Sequence, residues 1–130
     1  MATQVAIDSL KAYPSMTGMF GLTSVALPGA AEALRKARAA DRVFLTGVST
    51  PNVMKEYVKD GTVKSFVLWS PIDLGYLAVF VANAAIKGEI LPGASSFKAG
   101  RIGEVKVEGD QIILGSPIVF DQNNIDNYNF

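Results

Sequence analysis

The sequence contains no cysteine and no histidine among its 130 residues. Without cysteine the chain has no disulfide and no thiolate metal site. Without histidine it lacks the commonest general base near neutral pH and the commonest zinc ligand. These absences lower the expectation of hydrolytic or metal-assisted chemistry. We therefore predict a protein that is not an enzyme and that needs neither a cofactor nor a metal ion.

Excess charge and long apolar segments are also missing. Twelve Lys and Arg residues balance twelve Asp and Glu residues, so no basic surface for a nucleic acid is expected. No apolar stretch reaches the roughly 18 residues of a membrane span, since Asn83 interrupts the best candidate, 74–86. The first residues carry no export signal.

What the sequence does contain is a regular alternation of strand-length apolar runs and helical segments. Three runs, at 19–22, 43–48 and 63–69, are each followed by a helical pattern. This order predicts βα units with a parallel sheet between flanking helices, a three-layer α/β fold. Helices are predicted at 3–13 before Pro14, at 26–40, from Pro51 to Gly61, and from Pro71 to Lys87 with Gly88 ending the last.

The pattern changes after the last predicted helix. Residues 105–114 alternate around Gly109-Asp110 and predict a β-hairpin, followed by a short strand at 118–120 and a polar tail. The tail has the oxygen density of a calcium loop but lacks its glycine and closing glutamate, which favours a simple tail. We describe 1–130 as a single partial α/β domain, with βα units in 1–69 and a crossover helix, hairpin and tail in 70–130.

Hydroxyl groups follow each of the three strand-length runs, at the ends where parallel sheets bind ligands. These ends are Leu22-Thr23-Ser24, Ser49-Thr50 and Trp69-Ser70. Hydroxyls with one indole can hydrogen-bond a neutral polyhydroxylated ligand and stack on its C–H face. Each residue also has a structural interpretation, because loop hydroxyls are commonly helix caps and Trp69 could be a half-buried core aromatic.

Two motifs for other chemistry are incomplete. The stretch Gly47-Val-Ser49-Thr-Pro51 partly matches a nucleophile elbow, but proline replaces its second glycine and no histidine can activate the serine. The glycines between residues 18 and 29 have neither dinucleotide nor P-loop spacing. A binding function is therefore favoured over catalysis.

The segments "GLTSVALPGAAEAL", "STPNVMKEYVKDGTV" and "LWSPIDLGY" resemble the carboxyl-terminal part of type I periplasmic sugar-binding proteins of ABC importers, within the rhamnose-binding and autoinducer-2-binding branch. The resemblance implies two lobes that close around a small sugar, a membrane permease as partner, and a periplasmic or extracellular location. It also implies a fragment without the export signal, the first lobe and the first strand of the second lobe. Such a fragment would bind sugar weakly or not at all, and it would self-associate as a homo-oligomer.

By position, the resemblance places ligand contacts on Leu22, Thr23, Ser24, Ser49 and Trp69. Many relatives that bind pentoses or hexoses have an amide near Thr23, an aspartate at Ser49 and a glutamine at Trp69, so this sequence differs at all three. An alternative with the same fold is the effector-sensing lobe of a LacI-type transcription regulator, for which an upstream helix-turn-helix would be diagnostic.

Overall fold

The computed structural model of the chain describes residues 1–91 and 93–130, and it divides into two compact units. The first unit contains residues 1–68 and 118–130, and the second contains residues 69–117. The tail, grouped by sequence with the crossover helix and hairpin, thus lies in the first unit. The elements in chain order are α1 (Ala2–Ala12), β1 (Gly18–Gly21), α2 (Ala26–Ala37), β2 (Phe44–Gly47), α3 (Pro51–Lys59), β3 (Phe66–Leu68), α4 (Pro71–Ile86), β4 (Ser96–Lys98), a 3-10 helix (Gly100–Ile102), β5 (Glu104–Glu108), β6 (Gln111–Ile113), β7 (Ile118–Phe120) and a second 3-10 helix (Ile125–Asn127).

The first unit is built on strands in the order β1-β2-β3-β7. β1 and β2 pair in parallel from Gly18↔Phe44 to Gly21↔Gly47. A parallel bridge between Val48 and Val67 continues the sheet to β3, and β7 then pairs antiparallel with β3. The predicted parallel α/β sheet is therefore confirmed, with one antiparallel strand added at its edge.

The hydrophobic core of the first unit lies between this sheet and helices α1, α2 and α3. Inward-facing strand residues such as Leu45 and Phe66 are fully buried and pack in one cluster with Leu27, Leu34 and Met54. Residues at the alternate strand positions point to the opposite face. On that face Phe20 is 72% exposed and Phe44 is 50% exposed. The helices of this unit therefore pack on one side of the sheet.

The helix boundaries follow local sequence signals with one exception. α1 ends two residues before Pro14, and α3 ends shortly before Gly61, which adopts a left-handed φ of 80°. α2 was predicted to reach residue 40 but ends at Ala37, because Arg38 takes a left-handed φ of 50° and the N–H of Ala39 bonds back to the carbonyl of Leu34 at 2.9 Å. No glycine marks that position, so the sequence gives no warning of the turn.

The tail contributes to the core, which its polar composition does not suggest. Ile125 is fully buried. The Phe120 ring stacks on Phe66 with 4.9 Å between centroids, and the Tyr128 ring meets Phe120 edge-on at 4.8 Å. The oxygens considered for calcium instead form a turn, in which Asp121 accepts from the N–H of Asn123 at 2.8 Å. Across residues 1–91 and 93–130, no group of three or more His, Cys, Asp or Glu is placed to hold a metal.

The second unit consists of α4 and the antiparallel sheet β4-β5-β6 around a small core of Leu77, Ala99 and Val105. α4 ends at Ile86, and Gly88 has a left-handed φ of 69°, close to the predicted end. β5 and β6 form the predicted hairpin around Gly109-Asp110. β4 was not predicted from the sequence. Within the part of the chain that the structure describes, no helix is both long and apolar enough to cross a membrane.

Candidate functional site

The carboxyl ends of β1 and β2 lie side by side, which brings together two of the predicted hydroxyl-bearing loops. The N–H of Val48 donates to the carbonyl of Gly21 at 2.9 Å. A Cβ at Gly47 would collide with that same carbonyl, so glycine is needed where the two strand ends approach. Residues 22–24 and 48–50 therefore leave the sheet from adjacent positions.

The loop after β1 has three exposed residues, one of which also hydrogen-bonds the start of α2 through its side chain. Thr23 Oγ1 accepts from the N–H of Ala26 at 3.1 Å, and the Thr23 carbonyl accepts from Leu27 at 3.2 Å. Thr23 is thus engaged at the start of α2, which corresponds to the structural interpretation of this residue. Leu22 is 72% exposed and Ser24 is also exposed. Leu22, Ser24 and the Thr23 hydroxyl, which can still donate a hydrogen bond, are all exposed in this loop.

Ser49, at the end of β2, is fully buried. Its Oγ donates to the carbonyl of Ser24 at 3.2 Å. This bond joins the loop after β2 to the loop after β1 across 25 residues of sequence. In this conformation the Ser49 hydroxyl holds the Ser24 backbone in place, and its own surface is not accessible.

Trp69 is the first residue of the second unit and follows directly after β3. Its surface is 46% exposed, and it is not among the residues of either core cluster. The interpretation of Trp69 as a core aromatic is therefore not supported. Next to it, Ser70 Oγ accepts from the N–H of Asp73 at 3.1 Å, which confirms that Ser70 caps α4.

Thr50 precedes α3 as Ser70 precedes α4, and both are followed by proline at the first helical position. The Thr50 side chain nevertheless makes no capping hydrogen bond, so the predicted cap is wrong in that respect. The hydroxyl is partly buried and has no role in holding the helix start. Position alone does not distinguish the two residues, because the side-chain rotamer decides whether a hydroxyl reaches the N–H groups.

The last residues of the sequence lie at the start of α3, a contact that the sequence does not suggest. The N–H of Asn52 donates to the carbonyl of Phe130 at 3.2 Å, and Asn52 Nδ2 donates to Asn129 Oδ1 at 3.1 Å. Two amide side chains are thereby placed next to the loop after β2. The alternating aromatics Tyr128 and Phe130 were the available signal, since such a pattern indicates a segment with one buried face.

The strand ends are electrically neutral, since residues 22–25 and 47–52 include no Lys, Arg, Asp or Glu. The groups with shifted pKa values lie on α3, directly after it, and in the tail. Burial raises the pKa of Tyr57, with a further contribution from Glu32. Burial would raise the pKa of Asp60, but hydrogen bonds from Thr62 and Arg35 outweigh it and lower that pKa. The loops are suited to a neutral ligand that offers hydroxyl groups.

Comparison with known proteins identifies the family to which this chain belongs. The profile of the periplasmic binding protein domain family matches residues 1–90, and this chain belongs to that family. A sugar ABC transporter structure from Actinomyces odontolyticus is 37% identical, with a TM-score of 0.86 over 99% of this chain and 42% of its own.

Two further structures were solved with ligands. A solute-binding protein from Clostridium phytofermentas with bound L-rhamnose is 28% identical, with a TM-score of 0.84 over 97% of this chain and 44% of its own. LsrB from Clostridium saccharobutylicum in complex with AI-2 is 26% identical, with a TM-score of 0.84 over 99% and 44%. This chain therefore spans less than half the length of the structures that it matches.

Proposed function

We propose that this chain is part of the substrate-binding component of an ABC sugar importer, and that it binds a small sugar or sugar-like ligand reversibly. The ligand would be similar to rhamnose or to autoinducer-2 and would lie in a cleft between two lobes. The observation that carries the proposal is the neutral, hydroxyl-bearing edge at the carboxyl ends of β1 and β2. Membership of the periplasmic binding protein family supports it.

Each predicted contact residue has a separate part in this proposal. Leu22 and Ser24 offer exposed apolar and hydroxyl surface, while Thr23 and Ser49 fix the loop that carries them. Trp69 supplies a half-exposed indole on which a sugar ring can stack. None of these groups is a general base or an activated nucleophile, so in our proposal the protein releases its ligand unchanged and is not an enzyme.

The remaining expectations concern the whole protein. We propose a permease in the membrane as its partner and a periplasmic or extracellular location, because the matched structures include sugar ABC transporter proteins. Binding by this chain alone should be weak, with a Kd of about 1 mM or above, since one lobe leaves the ligand partly solvated. Self-association of the isolated chain stays a prediction.

The test uses the single tryptophan. L-Rhamnose is titrated into the 130-residue chain while the emission of Trp69 is followed, with D-fucose as the comparison sugar. We expect a saturable change in emission with L-rhamnose. Ile86, which is 88% exposed at the end of α4 opposite to Trp69, provides the matched control: Ile86→Ala should titrate like the parent chain.

A second variant separates ligand stacking from indirect effects on emission. Trp69→Ala should weaken binding by about 1–3 kcal/mol, the range for a lost aromatic contact, as measured by the rhamnose dependence of amide NMR shifts. At ligand concentrations well above the expected Kd, constant emission combined with unchanged amide shifts for every sugar and for autoinducer-2 would contradict the proposed function.

A further inference from the structure

The start of α4, which directly follows Trp69 and Ser70, is held in the second unit by Arg101 from the first 3-10 helix. Arg101 Nη2 lies 2.7 Å from Asp73 Oδ1. The same guanidinium lies over the ring of Tyr76, with 4.4 Å between Cζ and the ring centroid. Asp73 and Tyr76 are three residues apart and therefore share one face of α4. Arg101 covers that face.

The backbone around Arg101 is itself fixed on α4. The N–H of Arg101 donates to the Tyr76 hydroxyl at 3.3 Å. Gly100 has a left-handed φ of 51°, and a Cβ at this position would collide with the same hydroxyl. The Tyr76 ring stacks on Phe80 with 5.7 Å between centroids, and Phe80 packs against the core of this unit. Arg101 is therefore placed by a segment that is packed on the core.

Asp73 occupies the third position of α4 after the cap Ser70. An acidic side chain at this position commonly reaches back and accepts from the N–H of the capping residue. In the part of the chain that the structure describes, the Asp73 carboxylate makes no such bond and pairs with Arg101 instead. The Ser70 N–H belongs to the peptide group that joins Trp69 to Ser70. A carboxylate bonded to that group would therefore alter the backbone that carries the indole.

We propose that Arg101 is a positioning residue for Trp69. By holding the Asp73 carboxylate away from Ser70, Arg101 fixes the backbone at the start of α4 and with it the indole. This inference rests on the proposed function, in which the indole stacks on the sugar. An indole kept in one orientation loses less conformational freedom on binding, so the ion pair raises the affinity without touching the ligand.

The test first measures the 130-residue chain without sugar, through the NMR signals of the Trp69 indole N–H and the Ser70 amide. Arg101→Met removes the charge and keeps apolar cover over Tyr76. The Ser70 amide should then shift and exchange more slowly, because the released Asp73 carboxylate accepts from it, and the indole signal should move. Arg101→Lys keeps a cation beside Asp73 and should keep the parent signals.

Titrations of the same variants with L-rhamnose connect the indole to binding. The side chains of Arg101 and Asp73 are 51% and 38% exposed, so the Kd should increase by about twofold to fivefold in Arg101→Met. Arg101→Lys should keep the parent Kd. Lys106→Gln removes the exposed ion pair with Glu108 in β5 of the same unit and should change neither the Trp69 signal nor the Kd.

A second variant breaks the same ion pair from the helix side. Asp73→Asn removes the carboxylate charge and should move the indole signal and raise the Kd as Arg101→Met does. It replaces Arg101→Met if that variant does not fold.

Three results would overturn the proposal. In the first, Arg101→Met lowers the Tm while the Trp69 and Ser70 signals of the folded chain stay unchanged, so that the ion pair only stabilises the unit. In the second, the signals change and the Kd does not. In the third, Arg101→Lys changes both as much as Arg101→Met. Absence of rhamnose binding in the parent chain would instead contradict the proposed function, and the signals without sugar would still decide whether Arg101 positions Trp69.

Discussion

Thr50, which precedes Pro51, and Ser70, which precedes Pro71, provide a matched test of helix capping. Ser70 Oγ accepts from the N–H of Asp73 at 3.1 Å, whereas Thr50 makes no such bond. Ser70→Ala leaves that N–H without its partner and should lower the free energy of unfolding by about 1 kcal/mol. Thr50→Ala should change it by less than about 0.5 kcal/mol.

The assay combines thermal denaturation with hydrogen exchange. For a chain of this size, a loss of 1 kcal/mol corresponds to a decrease in Tm of about 4 °C. The Asp73 and Leu74 amides should exchange faster in Ser70→Ala, while the first-turn amides of α3 should be unchanged in Thr50→Ala. Equal effects of the two substitutions would refute the reasoning, because the structure attributes the difference to one hydrogen bond.

Three other substitutions test the packing and the charges. Gly47→Ala should destabilise the protein by about 3 kcal/mol or more in urea denaturation, because the added Cβ meets the Gly21 carbonyl. Gly75→Ala, at a position in α4 with open space around it, should be neutral or stabilising. The opposite ranking of the two variants would contradict the close approach of Gly47 to Gly21. Ile125→Ala should lower the free energy of unfolding by about 2–4 kcal/mol because Ile125 is fully buried. Ile86→Ala, at a side chain that is 88% exposed, should lower it little. Similar decreases for the two variants would show that the tail is not part of the core. The pKa of Asp60 is lowered in the folded state, so its contribution to the free energy of unfolding is present above the unfolded pKa and is lost as pH falls through the folded pKa. Because Asp60 is partly exposed, this contribution should be below about 1 kcal/mol. Asp60→Asn should flatten the acid side of the curve of stability against pH, whereas an unchanged curve would exclude the Arg35 and Thr62 interactions as the source of the acid-side slope.

Local signals in the sequence predict most helix ends and strand positions of this fold. Pro14 follows α1, Ser70-Pro71 begins α4, and Gly109-Asp110 forms the hairpin turn. Each of these depends on backbone preferences of one or two residues, and such preferences act without regard to the rest of the chain. The left-handed turn at Arg38 lacks any such residue and could not be predicted.

Long-range pairing was the part that the sequence could not predict. β7 is a three-residue strand whose partner, β3, lies about 50 residues earlier in the chain, and nothing in either segment specifies antiparallel pairing. β4 was also missed, because Ser96–Lys98 is too short for a clear alternation. The burial of Ile125 depends on the same long-range folding of the tail onto the first unit.

The candidate site was predicted at the level of loops and not of individual side chains. The hydroxyls after β1 and β2 do come together, as expected for neighbouring parallel strands. That Ser49 is buried against the Ser24 carbonyl while Ser24 itself is exposed depends on the close approach of Gly21 and Gly47. Such a distance between two loops is not encoded in a pattern of residue types.

The most direct test of the central claim is an amide NMR titration of the 130-residue chain with L-rhamnose. If the strand ends bind sugar, the largest shift changes should fall on residues 22–24 and on the Trp69 indole N–H, with small changes on α2 and at the hairpin. They should saturate with one Kd, and in Trp69→Ala the changes on residues 22–24 should require higher sugar concentrations. Changes confined to the hairpin of β5 and β6 would show that sugar binds elsewhere and would contradict the proposed site.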